Sequence, residues 1–358
     1  MSLRPRARVH LANIADNWRT IRASQTSGMT AAVIKADAYG HGLTQVAEAL
    51  HEAGCDHFFV AHSFEGELAR KTLGPHPVIY VLNGPDPYEE PVYRKHALSP
   101  VVNSHDQFQT LVSWLQGSGN LRDGYVLHFD SGMNRLGLPC GDAADLAKAT
   151  SGMEPSLIMS HLACSEAKSN AMNAFQLAQF QTVADLFPGI ATSLSNSGGV
   201  WLGPDYHGGL TRPGIALYGG GQPLEGLPLK PGMTLEAPIL QTHTAKTGES
   251  VGYGATHTFT KPTALATVAL GYGDGFPRSA SNQGFASIDG IRCPIVGRVS
   301  MDLIVIDVSA ATDLARPGVY AQFIGPDAPL EEQAKLAGTI GYELTTGLTP
   351  RVKRIYED

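Results

Sequence analysis

Between residue 12 and about residue 220 the chain repeats one pattern. A short apolar, often β-branched run is followed by a stretch with helical spacing. The runs are AAVIK (31–35), HFFVAH (57–62), PVIYVL (77–82), LSPVV (98–102), YVLHFD (125–130), SLIMSHL (156–162), ATSLSN (191–196) and LTRPG (210–214). Ile14, Trp18 and Ile21 make one helical face between them. Val46, Ala49, Leu50 and Ala53 make another, stopped by Gly54; Phe108, Leu111, Val112 and Leu115 make a third, and residues 170–187 a fourth. Strands interleaved with helices pair in parallel through right-handed crossovers. Eight of them specify an α/β fold of the (β/α)8, or TIM, barrel type. An open doubly wound sheet is the alternative, but no G-x-G-x-x-G follows the first run.

After the Gly/Pro-rich linker 219–232 helical spacing fades. Strand signals replace it: TALATVAL, FASIDGIRCPIVG with a hairpin-type Asp289-Gly290 turn, DLIVIDVS and VYAQFIG. The expected organisation is a barrel over 11–230, followed by a β-rich C-terminal domain over 231–358 that takes an N-terminal strand from 1–10. A net charge of −7 without a basic stripe argues against nucleic acid as a partner. No apolar run approaches membrane-spanning length, and the charged start lacks the apolar stretch of a secretory signal. Cys55, Cys140, Cys164 and Cys293 are far apart, with no C-x-x-C pair. That spacing argues against disulfides or zinc and fits a cytoplasmic protein.

Functional residues of such a barrel lie at the C-terminal ends of its strands. That rule selects Lys35 after the first strand, Arg135 past the fifth, His161 at the end of the sixth, Ser197 after the seventh and Arg212 in the eighth. An isolated strand-end lysine is ordinarily salt-bridged or snorkelling. One desolvated among other cations instead becomes a neutral amine able to form an imine. The strand ends SNSGGV and RPGIALYG offer backbone N–H groups and the Ser197 hydroxyl, the makings of a phosphate cradle, to which Tyr39 adds a phenol. Imine lysine and phosphate cradle on one barrel face point to pyridoxal 5'-phosphate.

Over its whole length the chain resembles the bacterial alanine racemases. AVIKADAYGHG resembles their cofactor-lysine signature, and FDSGMNRLG, SNSGG, TRPGIALYG, VGYGATHTF, LGYGDGF and GRVSMDLIVID resemble further blocks in the same order. The resemblance implies a pyridoxal phosphate enzyme of fold type III, a head-to-tail homodimer that interconverts L- and D-alanine. It implies Lys35 as cofactor lysine and one base, and Tyr253, from the partner subunit, as the opposite base, supported by His161 and Arg212. Tyr39, Ser197, Arg212, Gly214 and Ile215 would hold the cofactor. Arg135 and the main chain at Met301 would bind the substrate carboxylate, and Tyr272 would line the entrance. Arginine beside the pyridine nitrogen leaves that nitrogen unprotonated, which disfavours transamination.

Three positions depart from the family. His128 stands where many members carry a carbamylated lysine that holds the substrate arginine, so another group, an anion or Asn134, is expected to orient Arg135. Pro350 and Phe276 replace commoner aromatic residues. GESVG (248–252) matches a hydrolase nucleophile elbow, but its only later histidine is His257, with no Asp or Glu between Ser250 and it. A decarboxylase of similar plan and a non-catalytic pyridoxal phosphate carrier are the rival functions. Arg212 argues against the first and the second domain against the other. Alanine is the expected substrate, with serine open.

Overall fold

The computed structural model describes residues 4–25, 28–221 and 229–358; half of the expected linker, 222–228, lies outside them. The chain divides into two compact units. One comprises Ile14–Ala38 and Leu43–Lys230; the other comprises the chain up to Asn13, Tyr39–Gly42 and Pro231–Asp358.

The first unit holds eight parallel strands. The first is broken at Ala31 into Met29–Thr30 and Ala32–Val33. His57–Val60, Val78–Val81, Leu98–Val102, Val126–Asp130, Leu157–Met159, Ala191–Ser193 and Leu210–Thr211 follow. Ladders run in sequence order from the first strand to the seventh, and the eighth pairs with the first through Leu210 to Met29 and Thr211 to Thr30. Single backbone bonds, Gly209 N–H to the Thr192 carbonyl (2.8 Å) and Arg212 N–H to Ser195 (2.9 Å), join seventh to eighth and close the barrel. The strands read as unbroken apolar runs because both faces are covered, one by the barrel interior and one by helices. Phe58, Phe59, Val101, Leu127, Phe129 and Ile158 are fully buried.

The four expected helical segments form Leu11–Ser24, Leu43–Glu52, His105–Ser118 and Ala171–Ala184. Ser104 caps the third by accepting the Gln107 N–H (3.2 Å), and Asn170 caps the fourth by accepting that of Met172 (3.0 Å). The second turns a slightly different face inward than its spacing suggests. Leu43, Val46, Ala47 and Leu50 are buried, while Ala49 is half-exposed.

The turn that follows the first strand was not legible in the sequence. Residues 35–40 close into a helical turn in which Ala36, Asp37, Ala38 and Tyr39 have φ between +52° and +55°, so the turn is left-handed. Such a conformation costs L-residues about 1–2 kcal/mol each. Gly40 ends the turn at φ +81°, where a Cβ would lie 2.1 Å from the Thr345 carbonyl oxygen, so only glycine fits.

The second unit is a mixed sheet in the order Ile291–Pro294, Phe285–Ile288, Tyr320–Ile324, Met233–Ala245, Arg6–His10, Lys353–Glu357. Met233–Ala245 is irregular between Ile239 and Gln241, and beyond that point it pairs with Thr263–Val268, which in turn pairs with Ile304–Asp307. The Asp289-Gly290 turn joins its hairpin with positive φ at both residues (+50° and +79°), as a two-residue turn between twisted strands requires. No described helix is long and apolar enough to cross a membrane.

Ala36 is exposed, so replacing it with glycine removes backbone strain without opening a cavity. Ala36→Gly should raise stability by about 0.5–1 kcal/mol, read as a higher urea midpoint at unchanged slope. A lower midpoint would show that the turn does not cost the folded chain what its dihedrals indicate.

Candidate active site

Lys35 follows the buried pair Val33 and Ile34 directly, and its side chain stands half-buried at the C-terminal end of the first strand. Burial and the nearby Arg135 guanidinium push its amine below the usual lysine range, against a smaller opposing pull from Glu65. An amine so placed spends more of its time unprotonated, the form that attacks a carbonyl or takes a proton.

Arg212, directly after the eighth strand, is wholly enclosed. It donates to the Ser193 hydroxyl, to the Ser160 carbonyl (2.5 Å) and to the Leu194 carbonyl (3.5 Å). Burial lowers it to about 9, so it remains a cation at neutral pH. His161, at the end of the sixth strand, is held well below the ordinary histidine range. Burial is the main cause, followed by Arg212, Arg135, His128 and Lys35. The mouth therefore gathers Lys35, Arg135, His161 and Arg212, as the strand-end rule selected them. Arg135 itself lies on an exposed loop, shaped by Asp130, whose Oδ1 accepts the N–H groups of Gly132 and Met133 (both 2.8 Å).

His128, in the fifth strand, is buried behind this group. Its Nδ1 lies 2.7 Å from the Asn103 Oδ1. The Asn103 amide nitrogen is committed to the carbonyls of Leu82 (3.0 Å) and Val101 (2.8 Å) and to Gln107 Oε1 (3.1 Å), which leaves its oxygen as acceptor and fixes the proton on His128 Nδ1. Burial, with Arg212 next, lowers His128 to about 3. It is a neutral imidazole in a fixed tautomer.

The seventh and eighth strand ends form the cradle. Ser197 Oγ accepts the N–H groups of Gly214 (2.9 Å) and Ala216 (3.3 Å), which leaves its O–H to donate to a ligand. Ile215, between those two, opens the buried turn Ile215–Tyr218. A Cβ on Gly198 would lie 2.6 Å from the Ser165 hydroxyl, so the loop approaches its neighbour as only glycine can. Tyr39 is buried in the left-handed turn, its ring 5.9 Å from that of Tyr342, and burial raises its phenol above the ordinary range.

The β-rich unit presents the other expected residues. Tyr253 opens the tight turn Tyr253–Ala255 and is 73% exposed. Tyr272 and Met301 are brought together: Tyr272 N–H bonds the Ser300 carbonyl (3.0 Å) and Gly273 N–H the Met301 carbonyl (2.8 Å). Arg351 pins both loops through Asp274 (3.0 Å) and Asp302 (2.6 Å). Phe276 is buried edge-on against Phe323 in that unit's core, and Pro350 is exposed. Ser250 of the GESVG stretch sits in a short hairpin, Ser250–Val251 with His257–Thr258.

Sequence reasoning missed Glu65, Asn103, Ser160 and Ser193. Glu65 carries a signal, a glutamate three residues past the helix N-cap His62, as in a capping box. The other three are ordinary polar residues at strand ends whose roles depend on tertiary position alone.

A partly desolvated amine among cations, with a hydroxyl-and-backbone cradle nearby, makes a barrel-mouth site suited to an anionic ligand that carries a carbonyl group. Residues 9–222 match the family model for the alanine racemase N-terminal domain, and residues 232–356 that for the alanine racemase C-terminal domain. The chain belongs to the alanine racemase family. It is 44% identical over 353 residues to the catabolic alanine racemase of Agrobacterium fabrum, covering 97% of this chain and 91% of that one. To the biosynthetic alanine racemase of the same organism it is 40% identical over 367 residues, 98% of this chain and 93% of that one. The solved alanine racemase of Bartonella henselae, which carries covalently bound pyridoxal phosphate, superposes with a TM-score of 0.93 at 35% identity, over 99% of this chain and all of that one.

A neutral buried histidine makes the fold sensitive to acid. His128 binds its proton near pH 3 when folded but near the ordinary value of about 6.5 when unfolded. Its contribution is therefore complete above about pH 6.5 and is lost as pH falls below that. Each such imidazole contributes about 1.4 kcal/mol per pH unit in that window. Urea unfolding between about pH 6.5 and 5 should show His128→Asn losing stability less steeply than wild type by that amount. Parallel slopes would show that His128 takes up its proton equally well in both states.

Proposed function

We propose that this chain interconverts L- and D-alanine with pyridoxal phosphate, using two bases on opposite faces of the substrate Cα. The observation that carries this reading is Lys35: an amine with its proton affinity lowered, at a strand end shared with Arg212, Arg135 and His161. In the proposed organisation residues 11–230 form the cofactor-binding barrel, and residues 231–358 with 1–10 form the second domain.

The residues present fit that cofactor. Ser197 with the backbone at Gly214 and Ile215, and the Tyr39 phenol, would hold the phosphate. Lys35 would carry the carbonyl carbon as an imine, and Arg212 would face the ring nitrogen. When bound, pyridoxal phosphate supplies an electron-accepting π-system that stabilises negative charge developing at the substrate Cα. Arg212, a cation at neutral pH, offers no acceptor for a proton and so would disfavour protonation of the ring nitrogen.

The chain's own residues move the proton. The Lys35 amine would take or return it on one face. The partner subunit's Tyr253 does so on the other, with His161 and Arg212 lowering the cost of its ionised form. A tyrosine of ordinary pKa, about 10, needs that help near neutrality. Arg135 and the Met301 main chain would hold the carboxylate, and Tyr272 would restrict the entrance to small side chains. The exposure of Tyr253, Tyr272 and Met301 supports a composite site completed in a head-to-tail homodimer. The lack of any long apolar helix among the described residues is compatible with a cytoplasmic enzyme.

With pyridoxal phosphate and L-alanine, optical rotation should decay to zero while total alanine stays constant. Lys35→Ala and Tyr253→Phe should each reduce the rate by about 100-fold or more. Mixing the two inactive variants tests the composite site: random subunit exchange pairs Lys35 of one chain with Tyr253 of the other and should restore about a quarter of wild-type activity. A mixture that stays inactive while exchange is shown by mass would place both bases in one subunit.

A further inference from the structure

Glu65 plays no part in the reaction as proposed, yet its carboxylate is buried at the barrel mouth and fully engaged. Oε1 accepts the Ala36 N–H at 2.7 Å; Oε2 accepts those of Ala61 (2.7 Å) and His62 (3.1 Å). Ala61 and His62 follow the second strand, and bonds to them are what a glutamate in the first turn of Ser63–Leu73 makes as a helix cap. The bond to Ala36 is different in kind. It reaches back 29 residues to the amide that directly follows Lys35, where the left-handed turn begins.

A run of four L-residues at φ near +53° reverts unless something outside it holds it. Bonds further along it include Ala38 N–H to the Ile34 carbonyl (2.9 Å), Leu43 N–H to Asp37 Oδ1 (2.8 Å) and, at its far end, Arg354 Nε–H to the Gly40 carbonyl (3.2 Å). Glu65 is the tie from its first amide to the neighbouring strand. We propose that Glu65 is the positioning residue of the imine-forming lysine: its carboxylate clamps the Ala36 amide to the end of the second strand, holds residues 36–39 left-handed, and so fixes where Lys35 projects. This deepens the role proposed for Lys35 and rests on it. Glu65 is also the anion set against Lys35, opposing the nearby Arg135 cation.

Two readouts on the full chain test this. Glu65→Gln turns an NH2 group toward backbone N–H donors and breaks one end of the clamp. Amide hydrogen exchange of the pyridoxal phosphate-loaded protein should become about 10- to 100-fold faster over residues 34–43 and stay unchanged elsewhere in the barrel. The pH dependence of imine formation should also move to lower pH, because the anion favouring the ammonium form has gone, an effect a purely structural prop would not produce. Adding Ala36→Gly to Glu65→Gln should restore part of the protection, since glycine adopts positive φ freely. If Glu65→Gln does not fold, Glu65→Asp keeps the charge but is one methylene shorter; it should speed the same local exchange with little change in pH dependence. Unchanged exchange over 34–43, or a uniform rise without glycine rescue, would reduce Glu65 to a helix cap. A wild-type chain in which borohydride fixes no pyridoxal on Lys35 would overturn the role of the lysine, while the exchange pattern would still judge the clamp.

Discussion

Desolvation of positive charge is the constraint on which the barrel mouth depends. Four strand ends deliver Lys35, Arg135, His161 and Arg212 to one place, and water is largely excluded from three of them. Ionised groups so crowded must be compensated or give up protons. The two kinds of group respond differently. The lysine and the histidines lower their proton affinity and move toward neutrality, which makes them usable as bases and acceptors. Arg212 keeps its charge, because a hydroxyl and two main-chain carbonyls take up its N–H groups where solvent cannot.

The same constraint explains why the residues that support Arg212 are polar but not acidic. A carboxylate against Arg212 would neutralise its field and restore the proton to His161. A serine hydroxyl and carbonyl oxygens satisfy the guanidinium geometrically and leave its charge uncancelled. His128 follows the same logic. Asn103, itself oriented by Gln107 and two carbonyls, holds it as a neutral imidazole where a second ionised group would cost several kcal/mol.

Much of this was legible in the sequence, for reasons that differ by element. The eight barrel strands announce themselves because burial on both faces demands continuous apolar runs, and the strand-end rule then selects Lys35, Arg135, His161, Ser197 and Arg212. Asp289-Gly290 marks its hairpin because only such residues accept two successive positive φ angles. Met233–Ala245 was not read as a strand, since Pro238 interrupts it and it passes from buried to exposed after Ile239, so neither half alternates. Lys353–Glu357 was hidden by its charges, which pair across the sheet, as Arg8 does with Glu357 at 2.8 Å. The turn 36–39 could not be read at all. Nothing in Ala-Asp-Ala-Tyr prefers a left-handed helix; the conformation is imposed from outside, in part by a glutamate 29 residues away.

That contrast bears on how a symmetric reaction is built. The proposed interconversion of two mirror-image amino acids uses two bases on opposite faces of one carbon. One barrel mouth supplies groups from one side only, since every strand end points the same way. In that proposal the second base comes from elsewhere, and a residue that completes a site on another molecule is exposed on its own. Burying a tyrosine ring would ordinarily be favourable by about 2 kcal/mol, so holding Tyr253 outward in a turn between two glycines of positive φ forgoes that gain. Lys35 and Tyr253 are thus presented in opposite ways: the lysine is drawn inward and fixed on a strained turn, whereas the tyrosine is held out in an exposed one.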